Sequence, residues 1–294
     1  MTAVWRNFFK NASADIRQQF ACPTRSMTGA FCTRLWERHN APLIRRVVEE
    51  MRIQPDHNIL ELGFGRGLAL RQCYEAVKGG KGQVFGLETS DYMAASTYKN
   101  YSVEINESDK IVLDKIANLI NLPYPNDIFD AVFHVDVFYF WSSANLPDIF
   151  REFHRVLKPG ALLLCGLELK RLKRLEKYGV LNGGQFDPLR YMVPLEPSGF
   201  RNVKIEYKQL EGEPGREIQL ISARKPEASA DYYDPDHRMR QLELDIKKHL
   251  AMQSLLEAQQ RDERLVREAE GRQPQENSFE RKAEEEPKKT SGRG

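Results

Sequence analysis

The sequence predicts an α/β fold: a seven-stranded, mostly parallel sheet with helices on both faces and a C-terminal antiparallel hairpin. Three observations predict it. From Ile59 to about Ala223 short apolar runs alternate with amphipathic segments, as strand-helix units feeding a parallel sheet must. The first run leads directly into Gly63-Phe64-Gly65-Arg66-Gly67, a strand-to-turn-to-helix junction. The last two runs are joined only by EGEPG, which is too short for a crossover helix and demands an antiparallel pair.

Taken in order, residues 1–52 contain two helices broken near Pro23, the second running from about Thr33 through WERHNAPLIRRVVEEM. They precede the sheet and are expected to cover its open end. The strands are NILEL (58–62), GQVFGLE (82–88), KIVLD (110–114), DAVFHVDV (130–137), ALLLCGLEL (161–169), NVKIEY (202–207) and REIQLISAR (216–224). Between them LALRQCYEAV, SDYMAASTYKNY and LPDIFREFHRVL carry apolar residues at helical spacing, so each can cover a sheet face. LKPGA reads as a helix stop and a turn into the fifth strand. The methyl-rich core therefore belongs to a domain over 53–225. Beyond it the composition turns charge-dense. Met239, Leu242, Ile246 and Leu256 keep three-and-four spacing within 226–270, which predicts a charged helix, and 271–294 is expected to be disordered. That helix reads either as a solvated face or as a docking element for a protein partner.

Bulk charge is close to balanced, with 44 basic and 42 acidic residues, and does not point to nucleic acid or an anionic membrane. A small-molecule substrate is the expectation. Cys22, Cys32, Cys73 and Cys165 form no C-x-x-C pair, which argues against a metal site and a disulfide framework. No run approaches the roughly 20 apolar residues of a bilayer span, so stable membrane insertion is not expected. The expected compartment is cytoplasmic. Arg6, Lys10 and Arg17 among apolar residues keep a mitochondrial address open, with Asp15 against it.

Chemistry concentrates at strand ends. Glycines at 63, 65 and 67 let the chain turn sharply and a ligand approach the backbone, and the following helix offers unpaired N–H groups. Their spacing is G-x-G-x-G rather than the dinucleotide pattern, and Glu61 stands two residues ahead. An acid there disfavours a pyrophosphate and suits an ammonium group. Glu88 ends the next strand, roughly 20 to 25 residues beyond the glycines, where a carboxylate can accept both hydroxyls of a ribose. His134 and His154 read as structural histidines.

These features, with LELGFGRG, GLETS, NLPYPNDIFDAVF and REFHRVLKPGALLLC in order, resemble the class I S-adenosylmethionine-dependent methyltransferases, and within them the ubiquinone and menaquinone type. The likeness runs from about Trp36 to Ala223 and implies a Rossmann-like fold, S-adenosylmethionine as cofactor and methyl transfer to a small molecule. It implies that Gly63, Gly65 and Gly67 line the methionine portion, Glu61 lies near its amino group and Glu88 holds the ribose. Asn118 falls where the family meets the adenine amine, with Leu119 beside the ring. The fourth strand ends in HVDVFYFW, similar to V-N-x-x-Y-F-W in related enzymes, so Asp136 stands in place of an asparagine while Tyr139 and Trp141 match. A carboxylate can take a proton where an amide can only orient. Asp136 and Tyr139 are thus the candidate catalytic pair, Trp141 and Asn40 the candidate substrate contacts, and Phe138 and Phe140 are assigned to the core. A non-catalytic cofactor-binding scaffold that recruits a partner through the C-terminal helix is the alternative from another class; a nicotinamide oxidoreductase is disfavoured by the glycine spacing.

Overall fold

The computed structural model describes residues 14–228 apart from 107 and 117. Most of the helix expected over 226–270, and all of 271–294, therefore lie outside the described residues.

Seven strands form one sheet in the order β3-β2-β1-β4-β5-β7-β6. They are β1 (Ile59–Leu62), β2 (Val84–Glu88), β3 (Ile111–Lys115), β4 (Phe129–Val135), β5 (Leu157–Leu167), β6 (Arg201–Gln209) and β7 (Glu217–Arg224). The first five run parallel, and β7 is antiparallel to both β5 and β6, as the short EGEPG link requires. The chain builds outward from β1 through β2 to β3, then returns to add β4 on the other side. That reversal opens a crevice beyond the C-terminal ends of β1 and β4, the usual ligand position in such sheets.

The helices are α1 (Met27–Met51), α2 (Leu68–Val77), α3 (Asp91–Asn100), α4 (Ser102–Asn106), α5 (Leu146–Val156), α6 (Leu169–Lys177) and α7 (Pro188–Met192). Residues 14–21 are also helical, and the break that follows contains Pro23. All four residues of β1 are buried, as expected for a central strand covered on both faces. On one face Leu43 and Val47 of α1 and Leu70, Cys73 and Val77 of α2 pack on Ile59, Val84 and Phe133. On the other, Ile149, Phe150 and Phe153 of α5 pack on Leu60, Leu62, Val132 and Leu163. Each fully buried side chain of this size contributes about 1.5–3 kcal/mol.

Most strand ends shift by one or two residues, and four boundaries differ for a specific local reason. Helix α1 starts six residues before Thr33, because the Ser26 hydroxyl caps it by accepting from the Gly29 N–H at 2.9 Å. Strand β4 ends at Val135 rather than 137: Asp136 adopts φ 55° and Phe138–Phe140 close a 3-10 turn. Strand β5 begins at Leu157, with LKPG drawn into it through a bulge that pairs Phe129 with Leu157 and Ala131 with Leu162. It also ends two residues early, and Glu168 opens α6, a helix the periodicity of ALLLCGLEL hid.

Candidate active site

The glycine turn after β1 is held from three sides. The Gly65 N–H donates to Glu88 Oε2 at 3.0 Å, Thr97 Oγ1 donates to the Gly65 carbonyl at 3.0 Å, and Arg66 Nε donates to Glu37 Oε2 of α1 at 2.9 Å. Glycine is required twice for different reasons. At Gly63, φ is 74° and a Cβ would come within 2.7 Å of Val137 Cγ1. At Gly65, φ is 53° and a Cβ would meet no atom within 4 Å, so that position faces open space. Gly67, expected beside the glycines that line the ligand, stands instead as the N-cap of α2, against Thr97 and Tyr101, and lines no part of the cleft over the turn. The N-terminal segment is tied to this turn's neighbour by Ser90 Oγ, which donates to the Pro23 carbonyl at 2.5 Å.

A cleft of two lobes, about 170 and 330 Å³, lies over the turn. Ala21, Gly63, Glu88, Val137 and Phe140 line both. The first lobe adds Glu61, Gly65, Asp136, Arg171 and Asn40 with Phe20 and Trp36. The second adds Leu87, Thr89, Asn118, Leu119 and Trp141.

Electrostatics differ sharply between the two acids at the turn. The Glu88 carboxylate accepts from the N–H groups of Gly65, Thr89 and Ser90, so the β2 end fixes it toward the glycines. Glu61 is buried on the α2 side, and its Oε2 has no partner among the described residues. Burial first, and Glu88 second, push its carboxyl up from 4.5 to about 8. An unpartnered buried carboxylate is costly alone and becomes favourable when a cation arrives.

Beneath the first lobe lies a second polar group. Arg171 Nη1 donates to Asp136 Oδ2 at 3.0 Å and to the Asn40 amide oxygen, while Asp136 Oδ1 is buried and unpartnered among the described residues. Burial raises the Asp136 carboxyl above its ordinary value, and the Arg171 guanidinium opposes that rise. Next to it the buried Glu168 joins His39 Nε2 at 3.1 Å and Arg216 at 2.9 Å, which pins α1 to the ends of β5 and β7.

The structure therefore gathers Glu61, Gly63, Gly65, Glu88, Asn118, Leu119, Asp136, Asn40 and Trp141 around one cleft. Asn118 turns its amide oxygen to its own loop, accepting from the Ile120 N–H at 3.0 Å. Tyr139 is placed elsewhere. It is fully buried, lies 6.0 Å from the Phe20 ring in a stacked arrangement, and lines neither lobe. Phe140, expected in the core, is 38% exposed and reaches both lobes. The 3-10 turn is the cause, since its three-residue period replaces the alternation of a strand. His134 is buried against the Tyr191 hydroxyl at 2.8 Å, as a structural histidine should be.

Sequence reasoning missed Arg171, Glu168, Phe20 and Trp36. For Glu168 a signal was present: an acid ending a strand beside the crevice, the same placement that singled out Glu88. Arg171 follows from α6, whose leucines at 169, 172 and 175 mark a helix face.

Residues 60–165 match the family model described as methyltransferase domain. Demethylmenaquinone methyltransferase of Symbiobacterium thermophilum is 30% identical over 156 residues, covering 49% of this chain and 54% of that protein. Demethylmenaquinone methyltransferase of Staphylococcus epidermidis is 29% identical over 139 residues, covering 45% and 48%. The chain thus spans about half the length of these curated relatives. Among solved structures, the complex between the Haloferax volcanii Trm112 methyltransferase activator and a methyltransferase contains a chain that superposes with a TM-score of 0.55 at 16% identity, covering 66% of this chain and 93% of that one. That likeness concerns the fold, a Rossmann-like seven-stranded sheet.

Proposed function

We propose, for a chain that belongs to the class I S-adenosylmethionine-dependent methyltransferase family, that this cleft binds S-adenosylmethionine and passes its methyl group to a small-molecule acceptor. The observation that carries the reading is the convergence of two carboxylates on one glycine turn: Glu88 on the Gly65 N–H, and Glu61 with an unpartnered oxygen in the wall. The residues fit the cofactor. Glu61 offers a buried carboxyl that gives up its proton when the charged amino group arrives, and the open face of Gly65 leaves room for the chain beside it. Glu88 would hold the ribose hydroxyls, with Asn118 and Leu119 at the adenine in the second lobe.

When bound, the cofactor supplies an electrophilic methyl group on a sulfonium, ready for in-line displacement. The chain's own residues then need only position the acceptor and exclude water. Asp136 presents Oδ1 to the acceptor's hydrogen, and a carboxyl raised by burial is suited to receive a proton. Arg171 and Asn40 hold Asp136 in that orientation. Phe140, rather than Tyr139, supplies the aromatic contact where the lobes meet. Phe20 and Trp36 cover the site. The relatives named demethylmenaquinone methyltransferase support a quinone-type acceptor.

Calorimetric titration with S-adenosylhomocysteine tests the cofactor assignment. Glu88→Ala is expected to weaken binding by about 1–3 kcal/mol, the cost of a charge-assisted hydrogen bond. Unchanged affinity would remove Glu88 from the site. Labelling a cell extract with isotopic S-adenosylmethionine identifies the acceptor as the molecule that gains the label.

A further inference from the structure

Helix α1 has two working faces. Its inner face buries Gly29, Cys32, Leu43, Val47 and Met51. At 3.6 residues per turn the opposite side carries Met27, Phe31, Arg34, Leu35, Arg38 and Arg45. Met27, Phe31 and Leu35 are 92%, 68% and 54% exposed, a row at four-residue spacing. Arg34, Arg38 and Arg45 are exposed between and beyond them, and none forms an ion pair among the described residues. Between residues 25 and 48 there are five arginines and one acid, and that acid, Glu37, is engaged by Arg66. The near-zero balance of the whole chain conceals this local excess.

We infer that the outer face of α1 docks on an anionic lipid surface, its apolar row entering the headgroup boundary and its arginines meeting lipid phosphates. Charge complementarity selects this occupant. Three large apolar side chains in an unbroken row are costly in water, and interleaved cations without counter-ions suit a sheet of negative charge better than an apolar groove. No described helix is long and apolar enough to cross a membrane, so the contact is interfacial. The inner face of the same helix gives Trp36, Asn40 and Ile44 to the cleft, so docking sets the cleft roof against the lipid. The inference rests on α1 and not on the methyl-transfer reading.

The test is flotation of the full chain with phosphatidylcholine vesicles, with and without roughly a third phosphatidylserine. Binding is expected to the anionic vesicles only and to fall with added salt. The triple variant R34S/R38S/R45S is expected to lose about a hundredfold in partitioning, at roughly fivefold per arginine. The variant M27S/F31S/L35S is expected to lose binding at least tenfold. Circular dichroism and cooperative thermal unfolding without ligand report folding of both variants independently. Absence of binding to anionic vesicles overturns the inference, as does binding that both variants retain. So does light scattering that shows a dimer dispersed by M27S/F31S/L35S, since the row would then cover a second copy.

Discussion

Glu61→Gln isolates the cost of keeping a carboxylate for a ligand. The folded protein holds the Glu61 proton to about pH 8, against an ordinary value of 4.5. Because the native state binds this proton more tightly than the unfolded chain, stability is fully present below 4.5 and is lost as pH rises toward and through about 8. Each pH step is worth about 1.4 kcal/mol. Between 4.5 and pH 7 the loss is therefore about 3 kcal/mol, and it levels near 5 kcal/mol above about pH 8. Glutamine keeps the oxygen that accepts from the Leu70 N–H and cannot ionise, so it removes this slope. It also leaves a buried amide without a partner, as the protonated acid leaves its hydroxyl, so the two should be nearly equal near pH 5. Urea unfolding of ligand-free protein at about pH 5 and about pH 8 is the assay. The variant should match the parent at the lower pH and exceed it by several kcal/mol at the higher, while binding S-adenosylhomocysteine less tightly. A stability difference that does not change with pH would refute the buried, unpartnered carboxylate. Greater stability at high pH with undiminished affinity would keep the burial and reject its role in binding.

Arg171→Leu leaves Asp136 buried without its cation and should destabilise the fold by about 3 kcal/mol. Denaturant titration should find a smaller loss at acid pH, where Asp136 takes a proton and is neutral, and an equal loss at all pH values would contradict the pairing. Gly65→Ala should cost about 1 kcal/mol for its left-handed backbone, read by thermal unfolding, yet lower cofactor affinity by tenfold or more because its methyl enters the cleft. Equal affinity would mean the ligand does not approach Gly65. Tyr139→Phe removes a buried hydroxyl with no partner among the described residues, and should stabilise the fold by about 1 kcal/mol with cofactor affinity and turnover retained. Loss of turnover at unchanged affinity would return Tyr139 to the chemistry.

The fold and the glycine-turn side of the cleft were legible in the chain because their determinants are local or nearly so. A turn at positive φ needs glycine, so Gly63, Gly65 and Gly67 announced it. A parallel ladder aligns β1 with β2 in register, Leu62 beside Leu87, so an acid closing β2 had to arrive next to that turn. The side of the cleft around Asp136 was not legible. Whether Tyr139 or Phe140 faces the cleft depends on Asp136 leaving the strand conformation, and Asp tolerates that geometry without advertising it. Arg171 lies 35 residues from Asp136 and 131 from Asn40, and no periodicity reports a contact at such separation. The sequence by itself determined the strands, the closing antiparallel hairpin and the two acids near the glycine turn, since steric limits and hydrophobic period act over a few residues; the order of the strands, and with it the reversal point, came from the tertiary structure. Only the tertiary structure decided which charges meet under the first lobe and which face of α1 is left to the outside, because burial and pairing are properties of elements brought together by packing.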